Sequence, residues 1–384
     1  MDRSSRGPCG MESLYVMIKP VSGLCNMRCK YCFYMDEMYN RNVADYGRMS
    51  EETLELIIRQ SMEEAGREVT FSFQGGEPTL RGLAFYEKAL ELQDRYNRRR
   101  VKVHNLLQTN GYDLDEEWCR FFKENRFLIG LSLDGIWRTH DANRVSPDGG
   151  GTFSRCLDSA KRLKKFGVEF NVLTVVNRQT APRIRKIYQQ YEKWGFAYQQ
   201  YIACLDPVGE GKGGRSYSLS PLSYGQFLCE LFDVWYEDWK RRKQPYIRNF
   251  ENYIGALLGL LPESCEQGRG CTVQFVIEAD GSVFPCDFYM LDEFCLGNIR
   301  EGTFEDMRRM GAEMGFASDA ESFSEDCNVC RYEFLCHGGC RRHWYGKDKA
   351  EGRGNCFCES YKMFFGQCFE GLERVAAGIC ERGC

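Results

Sequence analysis

Histidine is nearly missing. The 384 residues hold four, at His104, His140, His337 and His343, too few and too scattered for an imidazole-based metal site. No run of 18 uninterrupted apolar residues occurs, so nothing here reads as a membrane-spanning helix. The first ten residues are polar and contain no apolar stretch, which argues against a secretory signal. They carry no pattern of their own, and Met11 is as good a natural start as Met1. Charge of one sign is lacking too: 51 Lys and Arg face 55 Asp and Glu, a net −4. That balance gives no reason to expect nucleic-acid or membrane binding.

Cysteine is what the chain has in excess, with 21 residues. In a small secreted protein they would mean disulfides. This chain is long enough for one large domain and a smaller one, and its cysteines fall in short-spaced sets. Metal clusters in a reducing cytoplasm explain them better. The first set is Gly23-Leu-Cys-Asn-Met-Arg-Cys-Lys-Tyr-Cys-Phe-Tyr34. Cys25, Cys29 and Cys32 can converge on one centre but cannot complete a four-ligand zinc shell. A [4Fe-4S] cluster held by three cysteines keeps one iron open to a small molecule. An aromatic-flanked Cys-x3-Cys-x2-Cys after a strand-like run (14–19) resembles the radical S-adenosylmethionine (SAM) superfamily.

From about Leu14 to Asp206, strand-like runs (14–19, 69–74, 101–108, 127–134, 168–176, 199–204) alternate with helical patterns. The clearest helix has Ser50 as N-cap, Glu51 and Glu52 in its first turn and Gly66 after its end. Leu54, Ile57, Ile58, Ser61, Met62 and Ala65 recur on its buried face. Another begins near Pro182 and stops at Gly195. Such units imply a parallel sheet with right-handed crossovers. The resemblance makes it an α/β fold, a partial (β/α)6 TIM-like barrel, with its site at the C-terminal strand ends.

Unusual residues gather at those ends. Gln74-Gly75-Gly76-Glu77-Pro78 follows the second strand; paired glycines let a backbone approach a ligand, and Glu77 adds an acceptor. By itself it is a plain turn, but beside the triplet it reads as cofactor-binding. The resemblance implies that it contacts the methionine amino group of SAM. Ser132 ends the fourth strand and Arg144 follows, a hydroxyl and a guanidinium suited to ribose and carboxylate; from its residues alone, Ser132 is a turn residue. Gly209-Glu-Gly-Lys-Gly-Gly214 fails the P-loop pattern, with Asp at 206 and Gly at 213, and reads as a mobile loop. The aromatic stripe of 224–243 (Phe227, Phe232, Trp235, Tyr236, Trp239) reads as core.

Beyond Cys265 the pattern changes. Val273–Glu278 and Ser282–Pro285 flank Ala279-Asp280-Gly281, a hairpin signal that brings Cys271 and Cys286 together at its open end. Then come Cys327, Cys330, Cys336 and Cys340, and finally Cys358. The Cys-x2-Cys alone fits zinc equally well. The whole series resembles the SPASM extension of radical SAM enzymes. By that resemblance Cys265, Cys271, Cys286 and Cys340 hold one [4Fe-4S] cluster and Cys327, Cys330, Cys336 and Cys358 another. Eleven cysteines and SAM then fill the twelve iron sites of three clusters. Cys356 rivals Cys358. The other cysteines (9, 119, 156, 204, 229, 295, 368, 380 and 384) read as small core residues. The implied division is a polar tail 1–12, a radical SAM barrel 13–244, a SPASM domain 245–365 and a C-terminal helix or tail 366–384.

Cys-Lys-Tyr-Cys-Phe-Tyr, Gln-Gly-Gly-Glu-Pro-Thr-Leu, Leu-Gln-Thr-Asn-Gly and Pro-Cys-Asp-Phe-Tyr together resemble the anaerobic sulfatase-maturating enzymes, from about Ser13 to Phe365. The resemblance implies oxidation of a sulfatase cysteine, in some members a serine, to Cα-formylglycine. It implies Tyr31, Gly76, Ser132, Arg144 and Leu205 as SAM contacts, with Gly75 and Glu77 beside them. Asp287, next to Cys286, becomes the catalytic base; read alone it is equally a turn acceptor. The implied chemistry is abstraction of a Cβ hydrogen by a 5′-deoxyadenosyl radical, loss of one electron and the thiol proton, and hydrolysis with loss of sulfide. The implied partners are a sulfatase polypeptide or Cys-x-Pro-x-Arg peptide and a low-potential donor of flavodoxin or ferredoxin type. Two other readings share residues with this one. A SPASM maturase forming thioether or carbon–carbon crosslinks in a ribosomal peptide shares every cysteine, although no room for a leader-binding domain precedes Leu14. A zinc-stabilised binding protein would be colourless near 400 nm.

Overall fold

The computed structural model describes residues 11–317, 325–345 and 354–381; Cys9, Cys384 and most of the expected tail 1–12 lie outside them. Its centre is one open sheet of nine strands in the order β7-β6-β5-β4-β3-β2-β1-β8-β9. The six long strands are β1 (Met11–Ile18), β2 (Ala65–Phe73), β3 (Lys102–Thr109), β4 (Leu128–Ser132), β5 (Phe170–Val176) and β6 (Tyr198–Ala203). All pair in parallel with their neighbours. Parallel strands need crossovers, and the helices 51–64, 83–96, 116–124, 153–165 and 184–194 supply them. A two-residue strand, β7 (Tyr246–Ile247), extends one edge.

Local rules account for the helix ends. Ser50 Oγ accepts from Thr53 N at 3.2 Å, capping Glu51–Glu64. The expected face is buried from Leu54 to Ala65. Gly66 differs from expectation: the chain turns extended at Ala65 and Gly66 is already in β2. There a Cβ would sit 3.1 Å from the backbone of Glu12 and Met11, so this glycine admits a neighbouring strand rather than closing a helix. Gly195 does close one, left-handed at φ 67° after Trp194, as a residue without Cβ does cheaply.

The hairpin is shorter than its sequence pattern: β8 (Val276–Ile277) and β9 (Val283–Phe284), antiparallel. It is not free-standing. β8 pairs in parallel with β1 through Met17 and Ile18, so the expected six-stranded sheet continues into the cysteine-rich region. The aromatic helix runs Pro221–Lys240 and is core, with Phe227, Phe232 and Trp235 buried. It packs on the C-terminal helix Cys358–Cys380, which continues unbroken across the boundary expected at 365/366. The glycine-rich loop 209–214 is pinned, because Gly213 N donates to Asp206 and Lys212 Nζ to Arg342 O, at 2.9 Å each.

Candidate active site

The cysteine triplet leaves the end of β1, and Cys32 immediately precedes the helix Phe33–Tyr39. Burial pushes Cys25 up to about 11, with Glu77 adding to it. Burial pushes Cys29 up to about 12, with Cys32 and Cys25 as further causes against the relief from Arg144. The three sulfurs therefore share one low-dielectric pocket. Bare thiolates there are costly, and a cationic centre that binds them deprotonated is the compensation the site is built for.

Arg144 lies against this pocket, wholly buried. Its Nη1 donates to Tyr31 Oη at 3.2 Å, and Tyr31 in turn donates to Asp134. The second Asp134 oxygen accepts from Val175 N at 2.9 Å. Among the described residues, none accepts from Arg144 Nε. An unspent donor beside the thiols fits a ligand with a carboxylate. Ser132 and Leu205 stand at the ends of β4 and β6 and are buried. Asp134 had no role from sequence; its only signal was a carboxylate at the end of a buried parallel strand.

The Gly75-Gly76-Glu77 turn is an organiser. Glu77 is buried and its carboxylate accepts from Thr79 Oγ1 (2.7 Å), Thr109 Oγ1 (2.8 Å) and Asn110 N (2.7 Å). Its own N donates to Leu24 O at 2.8 Å. It thus ties the end of β3 to the cysteine loop, and Asn110 Nδ2 approaches Cys25 Sγ at 3.6 Å. Gly76, at φ +53°, faces Leu24 O so closely that a side chain would collide with it. Gly75 faces the side chain of Lys19 in the same way.

Asp287 follows β9 and is 6% exposed. It is an ion-pair and hydrogen-bond acceptor, taking Lys19 Nζ on one oxygen and Gln74 Nε2 on the other. Lys19 is fully buried and its ammonium sits 4.9 Å from the Tyr34 ring centroid. Glu37 is buried as well, with neither carboxylate oxygen partnered. Burial, reinforced by Asp287, raises it well above the carboxylate range, against Arg342, Lys19 and Arg41. Lys19 and Glu37 were not legible as site residues. The available signal for Lys19 was a charge ending an apolar strand where ligand sites lie.

The eight cysteines expected to hold auxiliary clusters fall into two groups. Cys286 is raised by burial, with Cys340, Asp287 and Cys265 among its neighbours, and Cys340 by burial with Glu266, Cys265 and Cys271 beside it. Cys327, Cys330, Cys336 and Cys358 line one cavity, and burial pushes Cys336 up to about 12 with the other three adding. Cys356 lines a different cavity with Cys204, Lys212 and His343. Among the described residues, no three His, Cys, Asp or Glu side chains close on a single metal ion. The donor set is all sulfur, as iron–sulfur clusters take.

Residues 20–190 match the radical SAM superfamily and residues 265–331 the SPASM iron-sulfur cluster-binding domain. The chain is 43% identical to a cysteine-type anaerobic sulfatase-maturating enzyme of Clostridium perfringens, over 96% of this chain and all of that one. It is 33% identical to a serine-type anaerobic sulfatase-maturating enzyme of Bacteroides thetaiotaomicron, over 92% and 89%. A solved structure, native anSMEcpe with bound AdoMet and Cp18Cys peptide, superposes with a TM-score of 0.91 at 42% identity, covering 96% of this chain and 99% of that one. Streptococcus suis SuiB bound to precursor peptide SuiA shares the fold, with a TM-score of 0.64 at 17% identity over 91% and 76%.

Proposed function

Because the chain belongs to the anaerobic sulfatase-maturating enzymes, we propose that it oxidises the active-site cysteine of a sulfatase polypeptide to Cα-formylglycine. It is a radical SAM enzyme, and its cofactors are SAM and three [4Fe-4S] clusters. When bound, these supply the one-electron chemistry that removes a Cβ hydrogen and accepts a second electron. The chain's own residues do the rest.

Cys25, Cys29 and Cys32 would hold the cluster that leaves an iron open to SAM. Arg144, oriented by Tyr31 and Asp134, would offer its spare Nε to the SAM carboxylate, and Gly75, Gly76, Glu77, Ser132 and Leu205 would shape the pocket around it. Cys265, Cys271, Cys286 and Cys340 would hold the inner auxiliary cluster; Cys327, Cys330, Cys336 and Cys358 the outer. Asp287 accepts the thiol proton. The observation that carries the reading is its carboxylate: buried, and held on its two oxygens by Lys19 and Gln74, which follow β1 and β2.

We assign residues 13–244 to the barrel and 245–365 to the SPASM region, with the helix Cys358–Cys380 running across the end of that region. The electron donor is a low-potential flavodoxin- or ferredoxin-type protein. No helix among the described residues is long and apolar enough to cross a membrane, and the reading places the enzyme in the cytoplasm. Anaerobic incubation of reduced enzyme with SAM and a Cys-x-Pro-x-Arg peptide tests it. The expected product is lighter by about 18 Da, thiol replaced by aldehyde. A loss of about 2 Da, the mark of a crosslink, overturns the assignment, as does an unmodified peptide.

A further inference from the structure

Two adjacent strand ends, those of β1 and β2, converge on Asp287, and one of them contributes a cation. Lys19 follows β1 directly. Its backbone N donates to Ile277 O of β8 at 2.9 Å, while Gln74 N, following β2, donates to Ile18 O at 3.0 Å. Register thus sets Lys19 and Gln74 side by side before any side chain moves. Lys19 Nζ then reaches Asp287 Oδ1 and Gln74 Nε2 reaches Oδ2, so both oxygens of the carboxylate are oriented. The ammonium is fully buried, against the face of Tyr34.

A buried lysine is expensive unless paired. This one is further accommodated by a missing side chain: Gly75 turns at φ +100°, and a Cβ there would collide with Lys19 Cδ. The glycine does two things at once, adopting a backbone conformation that L-residues avoid and leaving room for the lysine stem. Glu37 nearby has two oxygens without a partner among the described residues and lies within the influence of both Lys19 and Asp287, yet the lysine bonds to Asp287. The pairing is therefore selective.

We propose that Lys19 is a positioning residue for the reaction. It fixes the place and orientation of the Asp287 side chain toward the substrate thiol, and Gly75 serves that lysine. This rests on the assignment of Asp287 as base, but the pair is testable without it. In the reconstituted holoenzyme, Lys19→Met, Asp287→Asn and the double variant are compared in two measurements. In thermal melting, each single variant lowers Tm and the double falls by less than their sum, because the two changes remove one interaction. In turnover with the cysteine peptide, the ratio of formylglycine to 5′-deoxyadenosine falls about tenfold or more in either single variant, the scale of a misplaced catalytic group. In the double it falls no further than in the worse single.

Gly75→Ala, which displaces the lysine while keeping its charge, lowers the same ratio. A wild-type ratio in Lys19→Met or Gly75→Ala protein of full iron content overturns the proposal. So does strict additivity of the melting shifts, and so does iron loss in both, which would make the role structural. If the wild-type enzyme itself makes no formylglycine, the maturase reading fails, and the melting cycle still decides the pair.

Discussion

A carboxylic acid buried with nothing to bond to is a liability, and Glu37 is one. Its raised pKa keeps it protonated when folded, whereas in the unfolded chain it ionises in the ordinary carboxylate range. Unfolding then releases a proton. The contribution is favourable below the unfolded pKa and is lost as pH climbs toward the folded one, at up to about 1.4 kcal/mol per pH unit. Glu37→Gln is expected to flatten that decline and to resist denaturant better at neutral pH. Denaturant midpoints of the two proteins, taken at mildly acid and at neutral pH, check this; equal slopes would mean that Glu37 is ionised in the fold. Residues of this kind escape a reading of the sequence. Glu37 sits at an ordinary helical position, and only its burial and the charges brought near it from across the fold (Asp287, Arg342, Lys19) make it unusual. Asp287 and the clustered cysteines were legible because short spacing and a family resemblance speak for them. Lys19 was passed over as the last letter of a strand.

Among the elements, those governed by neighbours in the chain were foreseen: the cap at Ser50, the stop at Gly195, the aromatic core helix. Those governed by distant pairing were not. No local pattern announces that β8 docks on β1, or that Gly66 is small because Glu12 runs past it. The helices Pro221–Lys240 and Cys358–Cys380 show the same effect. A Cβ on Gly225 would lie 3.1 Å from Ser360 Cα, and one on Gly371 would lie 2.6 Å from Phe232 Cε1. Glycine within a helix costs about 1 kcal/mol relative to alanine, and here close approach repays it. Gly225→Leu should push the pair apart and destabilise by about 1–3 kcal/mol, read as a lower Tm. An unchanged Tm would show that the helices are not in register at this point.

Across the whole molecule, regular structure is unevenly shared. The first part owns the six long strands and their helices, whereas the described residues beyond 258 contribute two two-residue strands, the helix Phe304–Glu313 and short turns until the closing helix. Such a region is thin in regular structure, and its clustered cysteines look to metal for order. Anaerobic protein should carry about twelve irons, the number three cubane clusters contain. Stripping them with a chelator is expected to expose the 259–345 region to limited proteolysis while the sheet core survives. Equal cutting throughout would show that the cysteine-rich part stands without metal.

The splice of β8 onto β1 has one more consequence. Since the strand that leads to the first thiols is hydrogen-bonded to the hairpin that leads to the carboxylate, both reactive stations hang from one continuous sheet. Whatever polypeptide is modified must bring its own pliancy to the encounter, bending to a fixed gauge.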